Sequence, residues 1–220
     1  MFSIYDDHGI GYLINANSAA DAHVRALKLI AKEGHEVTVL EEGNRPVKTK
    51  EILFCNLLIR NPLDPTHSPK SDWTSEPALE EYAYKEILGK VIPDGFTYTY
   101  GNEMQEPIDQ VARVIEMLKA DHSTRKATMR IGSPKRLFEQ DPPCCVIVDS
   151  KERRNRLNMF LVFRSHDYGS ALYQNLRAFG MLQARIAQGV GVAVGSLGCT
   201  SYSAHVYERD WEKLNGQNAV

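Results

Sequence analysis

Residues 141–167 read DPPCCVIVDSKERRNRLNMFLVFRSHD, and the rest of the chain is organised around this stretch. The proline pair Pro142-Pro143 delivers the chain to Cys144, an apolar run follows, and Arg164-Ser165-His166-Asp167 closes the segment. A cysteine acts as nucleophile through its thiolate, and a nearby guanidinium lowers its pKa from the free value of roughly 8.5. The stretch thus offers a nucleophile, Cys144, and a cation, Arg164, at the two ends of a strand-like unit. The competing reading makes Cys144 and Cys145 apolar core fillers, which is what most free cysteines are. Spacing alone leaves both open.

Bulk properties narrow the classes. The 220 residues are 43% hydrophobic and 25% charged, which suits one domain over 1–220 with a sizeable core. Net charge is −2, so no basic field draws the protein to DNA or to a membrane, and any phosphate site must be a local cluster of arginines. The cysteines Cys55, Cys144, Cys145 and Cys199 show no CxxC spacing. The N-terminus lacks a basic-then-apolar signal segment, and apolar runs such as Val190–Val194 fall far short of the ~20 residues of a membrane span. A cytoplasmic protein is expected. A zinc set of Cys144, Cys145, Cys199 and His205 lacks paired-ligand spacing, so no metal is expected.

Along the chain, residues 1–60 read as strand, helix, strand. Ser18 caps a helix from about Ala19 to Lys32 with Gly34 as terminator, and Glu51–Arg60 (EILFCNLLIR) fits a strand buried on both faces. Asn61–Pro77 is a proline-rich loop, and Arg60 at its start could reach a phosphate. Pro77 suits the first turn of a helix over Ala78–Leu88, which Gly89 stops. Phe96–Tyr100 (FTYTY) alternates like a strand. Pro107 opens a helix with Ile108, Val111, Ile115 and Leu118 on one face. Leu157–Phe163 reads as a central strand, and Ser170–Gln188 as a long helix in which Asn175 is polar among apolar residues. Gly189–Gly198 is glycine-rich without dinucleotide-fingerprint spacing, and Thr200–Tyr207 alternates as a last strand with His205 and Tyr207 on one face.

Several motifs in order resemble the thymidylate synthase family. They are Pro143-Cys144, Arg164-Ser165-His166-Asp167, Asn175, and His205-Val206-Tyr207, with an upstream Asp121-His122-Ser123-Thr124-Arg125-Lys126 and the pair Tyr100-Gly101. The intervals match too: twenty residues from Cys144 to Arg164 and thirty from Asn175 to His205. The likeness covers roughly residues 79–215, and Ser203–Glu208 looks most like the short archaeal-type branch. The resemblance implies an α+β, three-layer fold, a large mixed β-sheet flanked by helices, with a sheet face used for dimerisation.

It also implies a chemistry. The Cys144 thiolate adds to carbon-6 of the uracil of dUMP, and carbon-5 then attacks the one-carbon unit of 5,10-methylenetetrahydrofolate or a methanopterin-type analogue. Hydride transfer afterwards yields the methyl group of dTMP. The implied roles are thiolate support and phosphate binding for Arg164, phosphate contacts for Ser165, and the same for Arg125-Lys126 of a second subunit in a homodimer. Asn175 reads the base, His205 and Tyr207 hold the 3′-hydroxyl, and Asp167 meets the pterin. Tyr100 assists proton removal at carbon-5, and Glu81 orders water for proton transfer. This chain departs from the family where Cys145 replaces a histidine, Phe163 a glutamine, and Lys126 an arginine that could bind bidentately. Neither Trp73 nor Trp211 fits the family's tryptophan-rich folate segment. The alternatives are a uracil nucleotide hydroxymethylase of the same fold and a non-catalytic nucleotide-binding relative.

Overall fold

Seven strands form one mixed sheet in the computed structural model, which describes residues 10–41, 44–66, 74–139 and 142–215. The strands are β1 (Ile10–Ala16), β2 (His35–Glu41), β3 (Arg45–Ile59), β4 (Thr128–Arg130), β5 (Cys145–Arg153), β6 (Arg156–Asp167) and β7 (Ala193–Tyr207). Their order is β1-β3-β7-β6-β5-β4, with β2 pairing antiparallel to the first half of β3. The pairs β1–β3 and β6–β7 are parallel; β3–β7, β4–β5 and β5–β6 are antiparallel.

The helices are α1 (Ala19–Glu33), α2 (Glu76–Ala83), α3 (Tyr100–Gln105), α4 (Gln110–Ala120) and α5 (Leu172–Val190). Ser18 caps α1 by accepting from the Asp21 amide. Gly34 ends it for want of space: a Cβ there would lie 2.4 Å from the Ile30 carbonyl oxygen. The helix α5, buried on nearly every side, lies on the sheet together with α1 and α4, and α2 packs against α5. That gives the sheet–helix–helix layering of the expected fold. Among the described residues, no helix is long and apolar enough to cross a membrane.

Several local expectations are corrected. The first sixty residues hold an extra strand, β2, paired to an early part of β3 that begins at Arg45. Glu51–Arg60 is not buried on both faces: Ile52, Cys55, Leu57 and Ile59 point into the core, while Leu53, Phe54 and Leu58 are exposed. Phe96–Tyr100 is no strand; it is a loop running into α3, whose N-cap Thr99 accepts from the Asn102 amide. Ser75 caps α2, placing Pro77 in its first turn, and a π-turn over Tyr84–Leu88 carries the chain on to Gly89. Asp109 caps α4, so Ile108 stands before the helix and is 70% exposed. The last strand begins at Ala193 rather than Thr200, because Gly195 and Gly198 make room for the Asn158 amide and the Phe160 ring. Residues 67–73 of the proline-rich loop, with Trp73 among them, and Asp141 lie outside the described residues.

The sheet's two faces differ. One is filled by α1, α4 and α5. The other exposes Leu53, Phe54, Leu58, Phe160 and Tyr202. Leu58 and Phe160 flank Gly198 across three strands, and Phe54 stacks on Tyr202 at 6.2 Å between ring centroids. Burying each of these half-exposed side chains would be worth roughly 1 kcal/mol.

Candidate active site

The strands β5 and β6 form a hairpin whose turn residues, Arg154 and Asn155, have φ of 56° and 57°. Two consecutive positive φ values mark a turn whose twist matches that of the strands it joins. The hairpin folds the two ends of the decisive stretch onto each other, and at its open end the Arg164 amide donates to the Cys144 carbonyl at 2.8 Å. The Arg164 guanidinium donates to the carbonyls of Pro143 (3.1 Å) and Pro142 (2.5 Å), clamping the turn that presents the cysteine. The pleat sorts the sulfurs. Cys145 is fully buried, its thiol pushed well above the ordinary range by burial, and its Sγ approaches the Ile147 carbonyl at 3.7 Å. Cys144 is half-buried and faces a cleft of about 1650 Å³.

Cys144, Arg164, Ser165, Asn175, Tyr100, Tyr207 and Glu81 all line that cleft, brought from six segments of the chain. Tyr100, at the first turn of α3, sits with its ring 6.4 Å from Phe163 and 5.8 Å from Phe179. Burial, followed by the nearby Cys144 and Cys145 sulfurs, holds its hydroxyl well above the usual phenol range. Asn175, in the first turns of α5, is 4% exposed. Its Oδ1 accepts from the Tyr82 hydroxyl at 2.6 Å, and its Nδ2 lies 3.0 Å from Nε2 of His166.

Other expected residues stand differently. Glu81 is mostly exposed, paired with Lys85 at 2.5 Å, and its carboxyl is held below the usual value by that ammonium. Glu86 also lines the cleft, is half-buried, and is shifted upward by desolvation. His205 is 7% exposed behind Tyr207, with ring centroids 5.0 Å apart, and does not line the cleft. Burial lowers its pKa, partly offset by Asp167 and Glu51. Asp167 does not line the cleft either. Its Oδ1 accepts from the Gly169 and Ser170 amides, and its Oδ2 from the Ser170 hydroxyl at 2.5 Å, shaping the turn before α5. Arg125 and Lys126 sit exposed on the loop after α4, outside this cleft. Trp211 donates to the Val206 carbonyl and is likewise outside it.

Tyr82, Glu86, His166, Arg45 and Arg136 are absent from the sequence-based set. Arg45 lines the cleft mouth beside Glu41 at 3.0 Å. Arg136 pairs with Glu103 and Glu139 and lies 5.5 Å over the Tyr98 ring. A signal existed for Tyr82 and Glu86: both lie on the acidic helix already singled out, although the π-turn that rotates Glu86 inward leaves no mark in the sequence.

The thymidylate synthase family model matches residues 71–219. A Methanosarcina mazei protein named as a candidate thymidylate synthase is 35% identical over 209 residues, 93% of this chain and 94% of its own length. A Methanococcoides burtonii protein of the same name is 34% identical over 212 residues, 94% and 95% of the two chains. The deoxyuridylate hydroxymethyltransferase of Bacillus phage SP01 is 30% identical over 149 residues, 58% of this chain and 38% of its own. Among solved structures, thermostable thymidylate synthase A from Bacillus subtilis has a TM-score of 0.71 over 91% of this chain and 84% of that one. At 19% identity it bears on the fold alone, which is the fold the sequence resemblance implied.

Proposed function

The chain belongs to the thymidylate synthase family, and on that premise we propose that it converts dUMP to dTMP. The observation that carries the proposal is the convergence of Cys144, Arg164, Ser165, Asn175 and Tyr207 on one cleft. Covalent catalysis fits these groups. The Sγ of Cys144 adds to carbon-6 of uracil while Arg164 favours the thiolate and, with Ser165, binds the phosphate in a charge-assisted contact. Asn175 reads the base edge. Tyr207, backed by His205, holds the sugar hydroxyl. Tyr100 helps to move the carbon-5 proton. Glu86 takes the water-ordering role first given to Glu81, since a half-buried carboxyl shifted toward neutrality is better matched to proton transfer.

The residues fit a reduced pterin as co-substrate. The cleft exceeds the roughly 300–1,000 Å³ that holds a single drug-sized ligand. Phe96, 58% exposed, and Tyr98 line it and offer flat apolar faces to a ring system. 5,10-Methylenetetrahydrofolate, or a methanopterin-type analogue, supplies the one-carbon unit and the hydride. The bare sheet face supports a homodimer, in which Arg125 and Lys126 of one subunit reach the phosphate held by its partner.

A second reading has an observation of its own. The relative from phage SP01 is named for hydroxymethyl transfer to deoxyuridylate. In that reaction water, not hydride, completes the one-carbon unit, and the outcome depends on how the closed site excludes solvent. The test is tritium release from dUMP labelled at carbon-5, with methylenetetrahydrofolate present, product mass determined and particle size followed. The expected result is release, a one-methyl mass gain and activity in a dimer. A hydroxymethyl gain replaces the first reading by the second. No release assigns the fold to a non-catalytic nucleotide-binding role, and activity in a strict monomer removes Arg125 from the phosphate site.

A further inference from the structure

We propose that Tyr82 and His166 are positioning residues that set pyrimidine specificity by holding the Asn175 amide in one of its two orientations. The inference rests on the reading of Asn175 as the residue that meets the base. A side-chain amide has two donor hydrogens and an oxygen that can accept twice. Here the oxygen accepts once from the Tyr82 hydroxyl at 2.6 Å, and Nδ2 gives one hydrogen to Nε2 of His166 at 3.0 Å. One donor and one acceptor remain for a ligand in the cleft. Uracil presents a carbonyl acceptor at O4 and a donor at N3; cytosine presents the reverse pair, an amino donor at N4 and an acceptor at N3. An amide turned over would therefore read cytosine as well as this one reads uracil.

What prevents the turn is the network behind the amide. For Nε2 of His166 to accept, the ring hydrogen must sit on Nδ1, which lies 3.3 Å from the Ser201 hydroxyl. That hydroxyl also accepts from Tyr168 at 3.1 Å. The imidazole plane is fixed by stacking on Phe163, with centroids 3.8 Å apart and 8° between planes, and by Tyr168 packed edge-on at 5.4 Å. Turning the amide over demands the other imidazole tautomer, a reversed Ser201 hydroxyl and a Tyr82 hydroxyl that no longer donates to Oδ1. Each change leaves a buried polar group poorly paired, and such groups cost about 1–3 kcal/mol in general. Burial also keeps His166 neutral, with its pKa lowered to about 3, so Nε2 stays available as an acceptor.

The experiment measures dissociation constants of dUMP and dCMP by titration calorimetry for the native chain, Tyr82→Phe and His166→Phe. Both variants keep an aromatic ring and remove only the polar contact. The expected result is a fall of about tenfold or more in the dUMP-over-dCMP preference in each variant. A purely structural role would weaken both nucleotides alike and lower the melting temperature without moving the ratio. A native preference for dUMP that survives unchanged in both folded variants, or in whichever one folds, overturns this inference while sparing the parent reading. A native chain with no preference for dUMP overturns the role of Asn175, and this inference with it.

Discussion

The cleft has two unlike walls. The hairpin wall draws Cys144, Arg164 and Ser165 from one continuous stretch, and main-chain ladder bonds plus the Arg164 clamp on two proline carbonyls hold it. The helix wall draws Tyr82 and Asn175 from positions 93 residues apart and joins them to His166 through side chains alone. Position on the first wall follows from strand register, which tolerates side-chain substitution. Position on the second depends on each polar group keeping its partner, so single atoms matter more there. Cys144 is thereby placed by backbone, and Asn175 by side chains.

The largest expected effect tests the hairpin wall. Cys144→Ala removes the attacking atom and should lower tritium release from carbon-5-labelled dUMP by about 10⁴-fold or more, because no neighbouring group can replace a covalent nucleophile. Cys145→Ala, one residue away in a fully buried site, should keep its activity and instead lose about 1–2 kcal/mol of stability through the small cavity it leaves. Loss of turnover in Cys145→Ala with retention in Cys144→Ala would show that the pleat is reversed and the wrong sulfur assigned.

The same contrast explains what could be read beforehand. The hairpin wall was legible because its chemistry is contiguous: a nucleophile, an apolar run and a cation, in an order set by strand length. The turn that brings its ends together was not, since Arg154 carries no sign of a positive φ and only Asn155 does. The buried helix α5 and the polar anomaly of Asn175 were legible from periodicity. Its partners were not: nothing in the sequence singles out Tyr82 on its acidic helix, and His166 stood only as one member of the Arg-Ser-His-Asp motif, with no role of its own. The FTYTY stretch misled through strand-like alternation; Thr99 outweighed it as a helix cap. The EILFCNLLIR run looked buried on both faces because the exposed sheet face, which carries Leu53, Phe54 and Leu58, has the same composition as a core.

An intermediate effect separates two glutamates of the helix wall. Glu86→Gln removes a half-buried carboxyl beside Tyr82 and should lower turnover by about 10²-fold with little change in nucleotide affinity, the usual scale for lost general acid–base assistance. Glu81→Gln touches an exposed partner of Lys85 and should stay within a few-fold of native. Steady-state kinetics on both variants decide it. A larger loss in Glu81→Gln would return the proton-moving role to the residue first chosen from the sequence.

The smallest effect is on stability, and it again singles out the helix wall. Burial lowers the pKa of His166 to about 3 and that of His23 to about 4, against about 6.5 for a free imidazole. Between those values the unfolded chain binds protons that the native chain does not, so stability rises with pH through this window. It is fully present above pH 6.5 and lost as pH falls toward 3–4. Each such histidine contributes a slope of up to about 1.4 kcal/mol per pH unit. Urea unfolding of the native chain at pH 7, 5.5 and 4.5 should show the decline, and His166→Phe, whatever its stability at pH 7, should show a shallower one by about one proton's worth. Equal slopes in the two proteins would mean that His166 takes up its proton without unfolding, in which case the amide it supports is free to turn and the helix wall is no more exacting than the hairpin opposite.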